Sequence, residues 1–341
     1  MCALTSSMEV VSPQILIMCA VFFTSCQVWC QIQVTQVLYV KANNDSQCPN
    51  GVSISQCQTL DWYSHNKNAS FVTNTRMIFL SGTHSLEILI EVSNCHNFTM
   101  TGNGSTLLRS DGLPQPTSWI NCSGAFRSGL LFINSSKVRI TNLGLDSCSG
   151  LVTSECNFSL YVALAFTQAS DITLYQVVIN NTKGFGLHLN NVFGDINVKE
   201  SAFVNAKGFN VYGGNVQFLF VSPCSISDSN LVIDTSWFMY GKHITSKLAN
   251  ASGLKILISC PNINVRMSNI TAWGNRGGNL ALSLTDFGSN VSTITIINSN
   301  ISEGWASKGG GIKVWSQIEG SLRVQEDYPN HQHPQYLKYH F

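Results

Sequence analysis

The sequence predicts an all-β fold, a parallel β-helix solenoid with an N-terminal cap, and three observations predict it. The first is a repeat. Between about residues 90 and 315 one short unit recurs seven times: apolar strand, polar turn, alternating strand, Asn/Ser-rich turn, Gly, apolar strand. The alternating strands centre on Phe98, Val138, Ile172, Ile196, Leu231, Ile263 and Ile294, at steps of 40, 34, 24, 35, 32 and 31 residues. A period of roughly 20–50 residues marks a solenoid or array. The second is the period-2 alternation in each copy, as in Val138-Arg139-Ile140 and Ile263-Asn264-Val265. It places every other side chain on one face, which is a half-buried strand. The third is that no copy holds ten or more residues of 3.6-residue periodicity, so there is no crossover helix.

A second strand led by Gly follows at four places: 184–189, 208–214, 277–284 and 309–315. Gly there supplies a corner that a Cβ resists. Asn180, Asn205 and Asn275 precede such corners and are expected to form a hydrogen-bonded ladder between coils. A β-sandwich of short strands is the competing architecture.

The segment Thr73-Asn74-Thr75-Arg76-Met77-Ile78-Phe79-Leu80-Ser81-Gly82-Thr83-His84 resembles a first rung of the right-handed β-helix (pectate-lyase-like) superfamily. Within it, the chain is similar to large cell-surface repeat proteins of metazoans, abundant in sponges. The resemblance covers about residues 37–315. It implies a right-handed solenoid and raises polysaccharide cleavage as an activity to test against the residues.

Domains follow from the repeat. Residues 1–30 read as a signal peptide with an apolar core at Ile15–Phe23, although no Lys or Arg precedes it; an uncleaved anchor is the alternative. Residues 31–90 read as a cap and first rung, with a short helix near Ser55–Tyr63 covering the open end. Residues 91–315 are the solenoid, and residues 316–341 a polar tail. No second apolar stretch of about 20 residues follows the leader, so no further membrane span is expected.

Eight of the twelve cysteines lie beyond the leader, an even number that suits disulfides in an exported chain. Cys224 and Cys260 sit at the same turn of adjacent copies and are expected to pair. Cys48–Cys57 and Cys148–Cys156 read as local loops, leaving Cys95–Cys122; other connectivities stay open. Asn-x-Ser/Thr sequons begin at Asn44, Asn68, Asn97, Asn103, Asn121, Asn134, Asn157, Asn180, Asn250, Asn269, Asn290 and Asn300. With the leader and the cysteines they indicate a secreted or cell-surface glycoprotein.

Only 11% of residues are charged and the net charge is +1. There is no basic block, so nucleic acid is not an expected partner. Carboxylate-bound calcium, or two acids flanking a sugar bond, would signal cleavage chemistry. The repeat acids Asp146, Asp171, Asp195, Glu200, Asp228 and Asp234 are scattered at turns and read as turn formers. His188, in GLHLN, reads as a surface or packed histidine. His331, His333 and His340 lack acidic or cysteine partners, so neither a metal nor a cofactor is expected. No catalytic residue is assigned.

Trp237, Trp273 and Trp305 follow the alternating strand in three consecutive copies. Flat aromatics offer a platform for sugar rings; filling a core corner is the other reading. The expected function is non-catalytic extracellular recognition or adhesion, with glycans, matrix proteins or cell-surface proteins as partners. A diverged polysaccharide lyase or glycoside hydrolase, and a spacer in a longer ectodomain, are the alternatives.

Overall fold

The computed structural model describes residues 36–339 except 44–46, 67–70, 105, 111, 123–127, 154–158, 209–213, 222–223, 225–227, 243–251, 285–291, 306–310, 317–321 and 327–334. The expected signal peptide lies outside the described residues. The chain winds through three sheets, of 12, 8 and 9 strands. One coil shows the plan: Ser136–Thr141 in the first sheet, Leu143–Asp146 in the second, then Ser159–Thr167 in the third. Each strand pairs in parallel with its equivalents one coil before and one coil after. This is a parallel β-helix, and parallel crossovers of this kind are right-handed in nearly all proteins.

Alternation decides which side chains point inward. Phe98, Val138, Ile172, Ile196, Leu231 and Ile294 stack in register down the first sheet and are buried. The sixth coil departs from expectation: Leu231 pairs with Val265, while Ile263 pairs with Ser229. Both Ile263 and Val265 point inward, so alternation alone could not choose between them. Aromatic stacks run through the same interior. Phe132 and Phe166 lie 5.0 Å apart and nearly parallel, as do Phe203 and Phe238 at 5.5 Å. A fully buried side chain of this size contributes roughly 1.5–3 kcal/mol, so repeated inward ladders carry the stability of each coil.

The corners are made by residues in the left-handed region, most of them not glycine. Between the first and second sheets these are Asn142, Gln176, Glu200, Thr235, Asn269 and Asn298, with φ between 46° and 54°. Asn tolerates this region because its short amide bonds locally. The expected Gly corners are therefore secondary, and the third-sheet strand expected at 208–214 is Gly214–Phe220 instead.

The expected asparagine ladder splits in two. Asn205 Nδ2 donates to Asn180 Oδ1 at 3.4 Å. Asn275 belongs to a separate buried network: its Oδ1 accepts from Asn215 Nδ2 and Gly241 N–H, and its Nδ2 donates to Phe238 O and Asn279 Oδ1.

Within the segment expected to be a cap, a strand, Cys57–Thr59, is followed by the helix Leu60–His65. Thr59 Oγ1 caps the helix by accepting from Trp62 N–H at 3.3 Å. Leu60 and Tyr63 are buried in the core, and burial pushes the Tyr63 phenol up to about 12. At the other end, Leu322–Glu326 pairs in parallel with Thr293–Ile297, and Gln335–Tyr339 pairs antiparallel to it. The first sheet thus continues into the segment expected to be a loose tail.

Cys48–Cys57 and Cys224–Cys260 pair as expected. The other two expected pairs are replaced by Cys122–Cys148. The reason is stacking: Asn121 pairs with Asp146, and Cys122 N–H donates to Asp146 O at 3.1 Å, which places the two sulfurs on adjacent coils. Cys95 is buried and carries no disulfide, its thiol pushed up to about 11 by burial. Cys156 lies outside the described residues.

Candidate binding cleft

The strands of the second sheet are three or four residues long, so it presents two outward rows around one inward row. The inward row is Ile120, Leu145, Ile179, Phe203, Phe238 and Ala272, all buried. One outward row runs Trp119, Gly144, Val178, Ala202, Trp237, Thr271. The other runs Asn121, Asp146, Asn180, Val204, Met239, Trp273. On this outward surface the first row is apolar but for Gly144 and Thr271, and the second turns apolar from Val204 onward.

Part of it is covered. The step from Phe98 to Val138 is the longest of the repeat, and the surplus chain leaves the coil as an excursion with a small hairpin, Leu107–Leu108 against Pro114–Gln115. Leu113 folds back onto Val178 and Ala202, with Trp119, Val204, Trp237 and Met239 packed around them. Trp119 Nε1 donates to Pro116 O at 2.8 Å and ties the excursion to the sheet. A side chain at position 144 would run into the Trp119 ring, so Gly144 is what lets the indole lie on the sheet.

Between excursion and sheet lies an open cleft of about 760 Å³. Trp119, Trp237, Trp273 and Tyr240 line it together with Met239, and Arg109, Gln115, Asn180 and Asn205 add polar groups. Tyr240 meets Trp273 edge to face at 4.9 Å. The cleft is large enough for a small-molecule or oligomer segment.

Trp237 and Trp273 therefore lie on outward rows of adjacent coils, half-buried and offset by two residues, and both line the cleft. Trp305 does not join them; it stands 79% exposed at the corner beyond. Sequence reasoning missed Trp119, Met239, Tyr240 and the excursion. The 40-residue step was the available signal, since surplus chain in a solenoid must leave the coil.

The acids act between coils. Asp146 Oδ1 accepts from Asn181 Nδ2, Asp195 Oδ1 from Asn230 Nδ2, and Asp234 Oδ1 from Ser268 Oγ and Asn269 Nδ2. Glu200 Oε2 accepts from Gln176 Nε2 at 2.8 Å, and Asp171 Oδ1 from Asp195 N–H. Among the described residues no three His, Cys, Asp or Glu side chains converge as metal ligands. His331, His333 and His340 lie outside the described residues.

Of the sequon asparagines, Asn97, Asn103, Asn134, Asn269 and Asn300 are exposed, and Asn121 and Asn180 half-buried. Asn97 Nδ2 is engaged by Asn74 Oδ1 at 3.0 Å. Asn44, Asn68, Asn157, Asn250 and Asn290 lie outside the described residues.

No protein-family description matches the chain, and no curated protein does. Solved structures similar to it include pectate lyase Pel9A, at 13% identity and a TM-score of 0.38, over 86% of this chain and 78% of that one. The PL6 family alginate lyase AlyGC is similar at 11% identity and a TM-score of 0.35, over 82% of this chain and 40% of that one. The catalytic domain of a GH87 alpha-1,3-glucanase is similar at 9% identity and a TM-score of 0.28, over 84% and 69%. At these values the likenesses carry no functional argument. The class rests on the strand pairing: a disulfide-bonded parallel β-helix with an aromatic cleft on its second sheet.

Proposed function

We propose that the protein is a secreted or cell-surface, non-catalytic recognition module that binds glycans in the cleft of the second sheet. One observation carries this reading: three tryptophans and a tyrosine line one cleft on a rigid sheet, beside amide side chains. Aromatic faces take the apolar faces of sugar rings, and amides take their hydroxyls. The repeated coil makes the surface long, which favours several weak contacts acting together. Three disulfides and the density of sequons support an exported glycoprotein. Among the described residues no helix is long and apolar enough to cross a membrane.

The test uses the secreted chain against neutral and acidic polysaccharides, with and without calcium, recording binding and bond cleavage together. The expected result is binding without cleavage. Trp237→Ala with Trp273→Ala should then weaken it by on the order of tenfold per ring while secretion is retained. Cleavage, or binding indifferent to both substitutions, would contradict the reading.

A further inference from the structure

At the corner leading from the second sheet to the third, each coil places one residue at the same position. In five successive coils these are Lys183, Lys207, Lys242, Arg276 and Trp305, joined by parallel backbone bridges. Main-chain bonds fix the alignment. Lys207 N–H donates to Thr182 O, Lys242 N–H to Ala206 O and Arg276 N–H to Gly241 O, each at 2.8 Å. Coils stack about 4.8 Å apart, so four cationic residues form a column roughly 14 Å long.

Packing does not require these charges. In the preceding coil the equivalent residue, two beyond the left-handed Ser147, is Ser149, and the corner forms all the same. Lys207, Lys242 and Arg276 are exposed, and Lys183 is half-buried. Lys207, Lys242 and Arg276 make no ion pair with a described carboxylate; among the described residues the ion pair is His65–Asp61. Like charges set opposite one another across parallel strands repel. Yet a chain with only 19 Lys and Arg in 341 residues aligns four of them here.

The column runs beside the cleft. Asn180, Asn205, Tyr240 and Trp273 line the cleft, and Lys183, Lys207, Lys242 and Arg276 follow them by two or three residues. We infer that cleft and column form one site for a linear acidic polysaccharide, its rings against the aromatics and its carboxylate or sulfate groups along the column. This rests on reading the cleft as a glycan site. A net charge of +1 gives the protein no broad positive field of the kind that gathers nucleic acid. A local column suits a polymer whose charges are sparse and regularly spaced.

The test compares polygalacturonate, dextran sulfate, neutral dextran and a single-stranded DNA oligonucleotide as probes. The variants are Lys183→Gln/Lys207→Gln/Lys242→Gln/Arg276→Gln and a charge-preserving Lys183→Arg/Lys207→Arg/Lys242→Arg. The wild type should prefer the acidic polysaccharides, with affinity falling as salt rises. Exposed charge contacts contribute roughly 2- to 5-fold each, so the glutamine variant should lose on the order of 50-fold and most of the salt dependence. Neutral binding should be unchanged and the arginine variant near wild type. Should the quadruple variant fail to be secreted, the version retaining Lys183 replaces it. Equal binding of acidic and neutral polymers, or a glutamine variant like wild type, would overturn the column and leave the cleft reading standing. Acidic binding that needs the column but ignores Trp237→Ala/Trp273→Ala would overturn the cleft reading and keep the column. DNA bound as tightly as the acidic polysaccharides would overturn the choice of partner, and no polysaccharide binding at all would overturn both.

Discussion

His188 shows how a single residue escapes a pattern. On its strand it pairs with Ala165 on one side and Gln217 on the other, and it is 4% exposed. Its Nδ1 has no hydrogen-bond partner. Burial lowers its pKa to about 4, against a raising bond with Gln217 and assisted by the charge of Lys255. The folded chain thus holds it neutral, whereas the unfolded chain protonates it below about 6.5. Stability from this group is fully present above pH 6.5 and is lost as pH falls through that range toward 4, by on the order of 2–4 kcal/mol. His84, lowered mainly by burial, acts in the same direction. Denaturant midpoints measured from pH 7.5 to 4 should fall, and His188→Gln should flatten part of that slope; an unchanged slope would contradict the assignment. The sequence suggested only a surface or packed histidine, because alternation gives a side but not what covers it. Cysteines misled for a related reason. Cys148 and Cys156 are close in sequence, but coil-to-coil contact joins residues one turn apart, as in Cys122–Cys148 and Cys224–Cys260.

At the scale of the element, the coil was legible and its contents were not. Inward ladders follow from period-2 alternation, which is why six of the seven expected strand centres stack in register. Ile263 does not, since a shift of two residues preserves alternation. The cation column was hidden for a simpler reason. Successive corners are separated by loops of unequal length, so Lys183, Lys207, Lys242 and Arg276 show no constant spacing until the coils are stacked. The cleft depends on one small residue: Gly144 leaves the space that Trp119 occupies. Gly144→Val should expel that indole from the sheet and, through Pro116, loosen the excursion. The expected outcome is a folded protein with glycan affinity reduced on the order of tenfold and a changed tryptophan fluorescence maximum. Wild-type affinity with unchanged fluorescence would show that Trp119 does not shape the cleft.

At the scale of the whole molecule, the solenoid divides its labour among faces. The inward rows hold the coils together, the Asn, Asp and Ser side chains at the corners fix their stacking, and the second sheet keeps an apolar outward surface that the core does not need. Fold class could be read from the repeat because each coil buries its apolar face only against its neighbours. The site could not, because it is assembled from an excursion and from outward rows on several coils. Hydroxyl-radical footprinting of the purified, disulfide-bonded chain, with and without a bound acidic polysaccharide, tests the central claim most directly. Trp237, Trp273 and Tyr240 should be protected in the complex, with outward residues of the first sheet such as Tyr175 unchanged. Protection at Tyr175 with the cleft aromatics still fully reactive would place the ligand elsewhere and contradict the account.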